Sequence, residues 1–408
     1  MFKLRNISIF VFSMWILVQF MLIVLNWNFV PESDFRAYQI LAEKCIANNS
    51  WYPMPDNVYD NFIWAPGLIN LLILQLKVFG GFHVNMFLNL FFNIGILCMI
   101  YKLATKFVNH VVGLISIILF CTFYSNCLII IPTNTELPFL FFSLLGLCLC
   151  VKGRNWCYLA GLSFIVAETI RPLTIIFIIT AIVLLLLLKE KKINIVKLVG
   201  AYAFGALLVG SICYARIGYF NYKSTTGGYN LIMVANDKSN DGFYPSIFKD
   251  STSTAYIPGF QNVTELSYTL DNKQYTFEER DKKWTDESVK WILNNPIRYT
   301  KSIFPRLFAL YDKDLVYDIY HSSNPLTDNI LKIAKSIVYY IVLLFSIIGL
   351  FMVRNKYVYT LLLVTILGTC ITILLPCADR YHYPLIFPLI ILSSSSIYTL
   401  YQKRRNDY

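Results

Sequence analysis

Two acids and two arginines stand beside apolar segments of the sequence and could carry chemistry: Asp34, Glu136, Arg171 and Arg380. Asp34 opens a polar, aromatic loop a few residues after the first hydrophobic segment. An acid held there suggests chemistry at a membrane surface. Arg380 precedes a late apolar segment, and arginine suits phosphate because its planar fork donates two parallel hydrogen bonds.

Each of these residues also has a simpler explanation. Asp34 could be a solvated loop acid or the cap of a helix over 35–47. Glu136 could serve only to favour the first turn of a helix through the helix dipole. Glu168 lies three residues before Arg171 and could pair with it on one helix face, and Asp379 could neutralise its neighbour Arg380.

The composition places these residues in a membrane protein. The 408 residues are 57% hydrophobic and only 14% charged, with mean hydropathy +0.56. Such a chain is not a soluble globular protein, and its net charge of +11 does not indicate nucleic acid as a partner. The ten cysteines lie mostly in apolar runs, so we expect no disulfide framework.

Apolar runs and short basic loops predict an all-α, polytopic membrane protein of about ten transmembrane helices with juxtamembrane helices at the outer face. The basic loops place both termini in the cytoplasm. The predicted spans are 7–29, 84–103, 109–131, 136–151, 155–171, 172–188, 195–215, 330–353, 357–375 and 383–401.

Residues 65–81 also resemble a span, but the segment is short, with Asn70 and Lys77 on one stripe. We interpret it as a helix that lies in the outer interface. Three regions follow: an N-terminal transmembrane module, 1–215, with the extracytoplasmic loop 30–64; an extracytoplasmic segment, 216–329; and C-terminal transmembrane helices, 330–408.

In this topology the charged candidate residues lie on the outer side of the membrane. The cytoplasmic loops are short, and no GxxxxGK[ST] phosphate loop is present, so ATP-driven transport and nucleotide-sugar chemistry are not favoured. Segment 216–329 begins with the Gly-rich run Thr226–Leu231, where backbone can approach backbone or ligand closely. It continues with predicted helices near 278–294 and 297–311. The second of these is basic and amphipathic and could lie on the membrane surface.

Four segments resemble motifs of the GT-C superfamily, which are polytopic glycosyltransferases that use lipid-phosphate sugars. The chain resembles protein O-mannosyltransferase and aminoarabinose-transferase-like bacterial members, and this resemblance implies a place in the bacterial inner or plasma membrane. The segments are Ser33-Asp34-Phe35-Arg36-Ala37-Tyr38, Trp64-Ala65-Pro66-Gly67, Thr133-Asn134-Thr135-Glu136-Leu137-Pro138 and Arg380-Tyr381-His382-Tyr383-Pro384. The acidic motif departs from the family pattern, because Asp34 follows a serine and is not one of two adjacent acids.

This resemblance implies inverting transfer of a sugar from a polyprenyl-phosphate donor to the hydroxyl of a glycan, lipid or protein. Asp34 would then be the catalytic base, and Glu136 would orient the acceptor or a divalent cation. The donor phosphate would contact Arg380 and Arg171. Contacts to sugar or lipid are assigned to Trp64, Tyr229 and His382. Membrane lipids are the remaining partner, and no cofactor is certain.

Two other functions stay open. A membrane glycan polymerase would also use lipid-linked sugars and a large outer loop. A flippase or transporter of lipid-linked sugars predicts charges near the middle of spans, along a path through the bilayer. The charges in this chain lie near the ends of the spans on one side, which favours the transferase.

Overall fold

The computed structural model describes residues 2–239, 275–314 and 324–406, and in these ranges the chain is helical, without β-strands. Two short 3₁₀ helices, Pro55–Tyr59 and Asp379–Leu385, accompany the α-helices. The α-helices in the first half of the chain are α1 Phe2–Leu25, α2 Ser33–Ala47, α3 Pro66–Phe79, α4 Val84–Phe107, α5 His110–Thr122, α6 Tyr124–Leu128, α7 Glu136–Lys152, α8 Trp156–Glu168 and α9 Ile175–Leu187. Those in the second half are α10 Lys192–Ile217, α11 Gly227–Val234, α12 Phe277–Asn294, α13 Pro296–Tyr311, α14 Pro325–Lys335, α15 Ile337–Met352, α16 Lys356–Thr372 and α17 Phe387–Asn406.

Among the described residues, three helices are long and apolar enough to cross a bilayer, namely α1, α4 and α10. The number rises to five if two bent pairs each form one span: α14 with α15, which meet at 46°, and Asp379–Leu385 with α17, which meet at 63°. These helices make the chain a membrane protein.

The structure does not confirm ten transmembrane helices. Apolar helices lie near the predicted positions, but α5, α8 and α9 have only 13 residues each. Such a helix is about 20 Å long, which is less than the hydrocarbon thickness of about 30 Å. The predicted spans are shortened because polar segments turn back at their ends, as where α8 stops at Glu168.

A hydrophobic core runs through the helices and includes the short ones. Helix α7 packs against α4, α8 and α9, and α17 packs against α5, α15 and α16. Most of the buried side chains in this core are Leu, Ile and Phe. This packing brings the N-terminal ends of α2 and α7 close to the 3₁₀ helix Asp379–Leu385.

Helix α3 coincides with the predicted interfacial segment 65–81. It begins with Pro66, whose fixed φ suits the first helical position. Asn70 exchanges two hydrogen bonds of 2.9 Å with the backbone of Tyr52, and the Lys77 amine lies 4.5 Å from the centre of the Trp51 ring. The stripe of Asn70 and Lys77 therefore contacts the loop before α3, while its orientation to the bilayer stays a prediction.

Within the predicted segment 216–329, residues 240–274 and 315–323 lie outside the described ranges. Its two predicted helices agree closely with α12 and α13. The Gly-rich run forms the start of α11, which packs on α12. The backbone N–H of Gly228 donates to Asp281 Oδ1 at 2.6 Å, and a Cβ at Gly228 would lie 2.4 Å from the Asp281 carbonyl oxygen. The close backbone approach expected at this run is present, and it is made to another helix.

Candidate active site

The four charged candidates form two ion pairs at the ends of four different elements. Arg380 Nη2 lies 2.5 Å from Asp34 Oδ2, and Arg171 Nη1 lies 2.8 Å from Glu136 Oε1. The side chains of Asp34 and Arg380 are 16% and 22% exposed, whereas that of Glu136 is 2% exposed. We call these four residues the charge cluster.

Tyr381 joins the two ion pairs. Its ring centre lies 4.7 Å from the guanidinium carbon of Arg171 and 5.1 Å from that of Arg380. The Arg380 guanidinium also lies 5.5 Å from the ring of Phe35. Such contacts between a guanidinium and an aromatic face are attractive, so the ring holds both cations in a fixed relation. The result is a single unit of two acids and two bases with no net charge.

Tyr38 is buried beside this unit, one helical turn after Asp34. Burial raises the pKa of its hydroxyl well above 10, and the negative charge of Asp34 raises the pKa further. Glu136 also raises the pKa of Tyr38, whereas Arg380 and Arg171 lower it. Tyr38 thus senses all four charges, and it stays a protonated hydrogen-bond donor over the physiological range of pH.

Helix α2 is held against the Thr133–Glu136 segment by a chain of hydrogen bonds. Gln39 Nε2 donates to Thr133 Oγ1 at 3.0 Å, and Arg36 donates to Gln39 Oε1 at 3.2 Å. Asn134 Oδ1 accepts the backbone N–H of Leu137 at 3.0 Å and thereby caps the start of α7. These bonds between two motifs fix the position of Asp34 relative to Glu136.

The pairing of Arg171 differs from the simplest expectation. Glu168 does not pair with it; its Oε2 accepts the backbone N–H of Thr174 at 3.1 Å, which leaves Arg171 to Glu136. Asp379 likewise accepts the backbone N–H of Arg380 at 2.8 Å, while the Arg380 guanidinium turns to Asp34. Spacing along the sequence predicted that Glu168 and Asp379 would pair with the neighbouring arginines. In the structure, both carboxylates accept backbone N–H groups at turns instead.

The Trp64–Gly67 segment packs next to Glu168. The backbone N–H of Gly67 donates to the carbonyl of Thr169 at 2.6 Å, and a Cβ at Gly67 would lie 2.7 Å from that oxygen. Only glycine allows this approach without a shift of the backbone. The motif therefore fixes the start of α3 against the end of α8.

Trp64 and Tyr229 belong to a row of aromatic rings that starts at the charge cluster. Ring centres are 4.8 Å apart for Tyr38 and Trp64, for Trp64 and Phe62, and for Phe62 and Tyr229. The row continues from Tyr229 to Trp284 at 5.6 Å. Trp64 is partly exposed, while Tyr229 is buried, so Trp64 is the more accessible surface for a sugar ring.

His382 follows Tyr381 but turns away into the packed interior. Its side chain is 1% exposed, and Nδ1 lies 2.8 Å from the carbonyl oxygen of Leu310. The ring stacks between Tyr311 and Tyr339, with ring centres 6.0 and 5.1 Å away. The structure thus brings four of the seven predicted site residues together as the charge cluster and connects Trp64 and Tyr229 to it, whereas His382 serves the packing of α13 and α15.

A divalent cation does not fit the described residues as they stand. In the ranges 2–239, 275–314 and 324–406, no three His, Cys, Asp or Glu side chains come close enough to hold a metal ion. Asp34 and Glu136 each bind an arginine instead. A divalent cation for Glu136 to orient remains a prediction.

Sequence reasoning overlooked the roles of Tyr38 and Tyr381. Both lie in the quoted motifs, four residues after Asp34 and one residue after Arg380. The available signal was an aromatic residue beside each charged one, but aromatic residues are common throughout this chain. Only the fold shows that these two rings contact the charges.

Comparison with solved structures finds oligosaccharyltransferases of similar fold. The archaeal oligosaccharyltransferase AglB from Archaeoglobus fulgidus, in complex with an inhibitory peptide and a dolichol-phosphate, matches with a TM-score of 0.53 and 13% identity over 99% of this chain and 52% of that chain. The chain therefore has a fold similar to that of this oligosaccharyltransferase. A second structure of the Archaeoglobus fulgidus oligosaccharyltransferase, tethered with an acceptor peptide containing the NVT sequon via a disulfide bond, gives a TM-score of 0.51 and 13% identity over 97% of this chain and 50% of that one.

The chain spans about half the length of these two structures. No protein-family model and no curated protein sequence matches it. The likeness therefore concerns the fold, and the finer resemblance to O-mannosyl- and aminoarabinose transferases stays a prediction.

Proposed function

We propose that this protein transfers a sugar from a lipid-phosphate-linked donor to an acceptor hydroxyl at the outer face of the membrane. The observation that carries the proposal is the charge cluster: Asp34 is paired with Arg380 beside the buried pair of Glu136 and Arg171. Four segments far apart in the sequence contribute one residue each. An active site with both a base and phosphate-binding cations requires such an arrangement.

Asp34 is the proposed base. Its Oδ2 accepts a hydrogen bond from Arg380, which fixes the direction of the carboxylate. Oδ1 then accepts the proton of the acceptor hydroxyl while that oxygen bonds to the anomeric carbon of the donor. The bond from the anomeric carbon to the lipid phosphate breaks, its electron pair leaves with the phosphate, and the configuration at the sugar inverts.

The two guanidinium groups stabilise the departing phosphate. A guanidinium has five N–H donors in a planar fork, so Arg380 can hold Asp34 through Nη2 and still present donors to a second anion. Arg171 is anchored by Glu136, and both cations share the Tyr381 ring. Donors fixed before the reaction stabilise developing negative charge more effectively than mobile ones do.

The lipid nature of the donor and the class of acceptor rest on two supports. The GT-C-like fold matches an enzyme whose structure contains a dolichol-phosphate and a peptide, and the charge cluster belongs to a chain with apolar, membrane-crossing helices. The donor is accordingly a polyprenyl-phosphate sugar, and the acceptor is the hydroxyl of a glycan, lipid or protein.

The test is sugar transfer by the purified protein in liposomes supplied with polyprenyl-phosphate sugars. Asp34→Asn keeps the shape of the side chain and removes the base. We expect its turnover to fall by about a hundred- to ten-thousand-fold, the usual contribution of a positioned general base. Asp56→Asn is the matched control, because Asp56 is an exposed acid of the neighbouring loop.

Full turnover in Asp34→Asn would remove Asp34 from the mechanism. If the well-folded wild-type protein consumes none of the donors, the transferase proposal fails, and transport of the same lipid-linked sugars becomes the reaction to measure.

A further inference from the structure

Helix α13 has two opposite faces that are both unusual. One face is packed in the protein through the buried residues Tyr299, Ser302, Arg306 and Leu310. The other face presents large apolar side chains to the outside, with Ile297, Phe304 and Phe308 exposed by 71%, 61% and 71%. A soluble surface would not normally expose such a stripe, whereas a helix that lies in a lipid interface does.

The packed face contains an arginine with no partner of opposite charge. Arg306 is 2% exposed, and among the described residues none of its three guanidinium nitrogens has a hydrogen-bond partner. The ring of Tyr299 partly stabilises the charge of Arg306, because its centre lies 4.9 Å from the guanidinium carbon. A buried cation in this state is costly unless an anion binds beside it.

A pocket of about 600 Å³ lies along the same helix, between the two faces. Its polar lining includes Asn294, Asn295, Arg298, Lys301 and Ser302, and no acidic side chain is among the described residues that line it. Arg306 follows Ser302 by four residues, so it lies one turn further along the same side of the helix. The pocket also includes Ile297 and therefore opens onto the exposed apolar face.

These features together select an amphiphilic anion. Amides, a hydroxyl and several cations match the oxygens of a phosphodiester, and the apolar stripe that begins at Ile297 matches an acyl chain. We propose that the α12–α13 pocket binds the phosphate headgroup of an anionic phospholipid of the surrounding bilayer. Lys301 and Arg298 contact the phosphate at the pocket, and Arg306 supplies a third positive charge from the packed side.

The binding experiment uses the full chain in detergent micelles and follows thermal unfolding by tryptophan fluorescence. Dioctanoyl phosphatidylglycerol is the probe, and dioctanoyl phosphatidylcholine and inorganic phosphate are the comparisons. No sugar donor is present, so the outcome does not depend on the proposed enzyme activity. We expect phosphatidylglycerol to raise the Tm of the wild-type protein and the comparisons to leave it nearly unchanged.

Three variants test whether the rise in Tm with phosphatidylglycerol comes from binding at the α12–α13 pocket. Lys301→Gln weakens the response to phosphatidylglycerol about tenfold, because it removes one charged hydrogen bond to the phosphate. Arg306→Met raises the Tm without lipid, since an uncompensated buried charge is removed, and it also reduces the lipid response. Lys290→Gln is the control: Lys290 is an α12 lysine whose side chain is 70% exposed, and this variant keeps the full response.

Equal shifts with phosphatidylglycerol and phosphatidylcholine, or equal losses in Lys301→Gln and Lys290→Gln, would overturn the proposal. A shift with inorganic phosphate but none with phosphatidylglycerol would overturn the assignment to a bilayer phospholipid. If Arg306→Met does not fold, the comparison of Lys301→Gln with Lys290→Gln still decides the question.

Discussion

The charge cluster and helix α13 use buried charge in opposite ways. In the charge cluster each arginine meets a carboxylate, and the two pairs share the ring of Tyr381. In α13, Arg306 is buried, and no carboxylate among the described residues pairs with it. Asp314, three residues after the end of this helix, is 1% exposed and accepts hydrogen bonds from the hydroxyl and the backbone N–H of the uncharged Ser125.

The difference separates two kinds of site. A neutral network of paired charges is stable by itself, and it holds its groups in fixed directions for a reaction. An unpaired buried charge destabilises the folded protein, and a bound ligand of opposite charge offsets this destabilisation. This contrast fits the proposals that the charge cluster carries catalysis and that the basic side of α13 binds a lipid phosphate.

The largest change in stability is expected from Glu136→Gln. This substitution leaves Arg171 without its buried partner and should lower the free energy of unfolding by about 3 kcal/mol. Glu43→Gln is the matched control, because its pair with Arg36 has a similar length of 3.0 Å but lies at the surface, with side chains 31% and 45% exposed. That control should cost less than about 1 kcal/mol.

Denaturant unfolding in micelles measures both variants of this comparison. If Glu136→Gln and Glu43→Gln lower the free energy of unfolding equally, burial of the Glu136–Arg171 pair does not strengthen its contribution to stability.

Tyr381 tests whether one ring connects the two ion pairs. Tyr381→Leu should cost about 1 kcal/mol of stability through its contacts with Arg171 and Arg380, while Tyr381→Phe keeps the aromatic face and should cost little. Thermal unfolding of both variants gives the comparison. If the phenylalanine variant is as unstable as the leucine variant, the hydroxyl and not the ring carries the interaction.

Part of the pH dependence of stability should arise from Asp314, just after α13. Burial raises the pKa of Asp314 from 3.8 to about 7, so the folded protein retains a proton there that the unfolded chain releases. The contribution of Asp314 is therefore most favourable at low pH and is lost as pH rises from about 4 to about 7.

Asp314→Asn should remove this part of the pH dependence. Thermal unfolding between pH 4 and 8 measures it, with the exposed acid Asp56 replaced by asparagine as the control. A curve for Asp314→Asn that runs parallel to that of the wild-type protein would contradict the expected shift.

The positions of many helices could be predicted from the sequence, because apolar runs and breaks such as Asn295-Pro296 are local signals. The number of spans could not. Polar turns shorten α5, α8 and α9, and those turns depend on contacts made elsewhere in the fold. The Glu168 carboxylate, for example, accepts the Thr174 N–H at 3.1 Å and so ends α8.

The charge cluster was predictable as a set but not as a network. Basic loops indicated that Asp34, Glu136, Arg171 and Arg380 share one side, and the structure brings them together. Their pairing joins residues 346 and 35 positions apart, which no local spacing reveals. The burial of Arg306 was hidden for the same reason, since an amphipathic basic helix suggests exposed arginines.

The central claim is that Asp34 and Arg380 act as one unit in sugar transfer. The most direct measurement is a double-mutant cycle on turnover, with Asp34→Asn, Arg380→Gln and the double variant assayed in liposomes with a polyprenyl-phosphate sugar. We predict strongly non-additive losses, so that the double variant is about as slow as Asp34→Asn alone. Losses that simply multiply, or full activity in either single variant, would contradict the account.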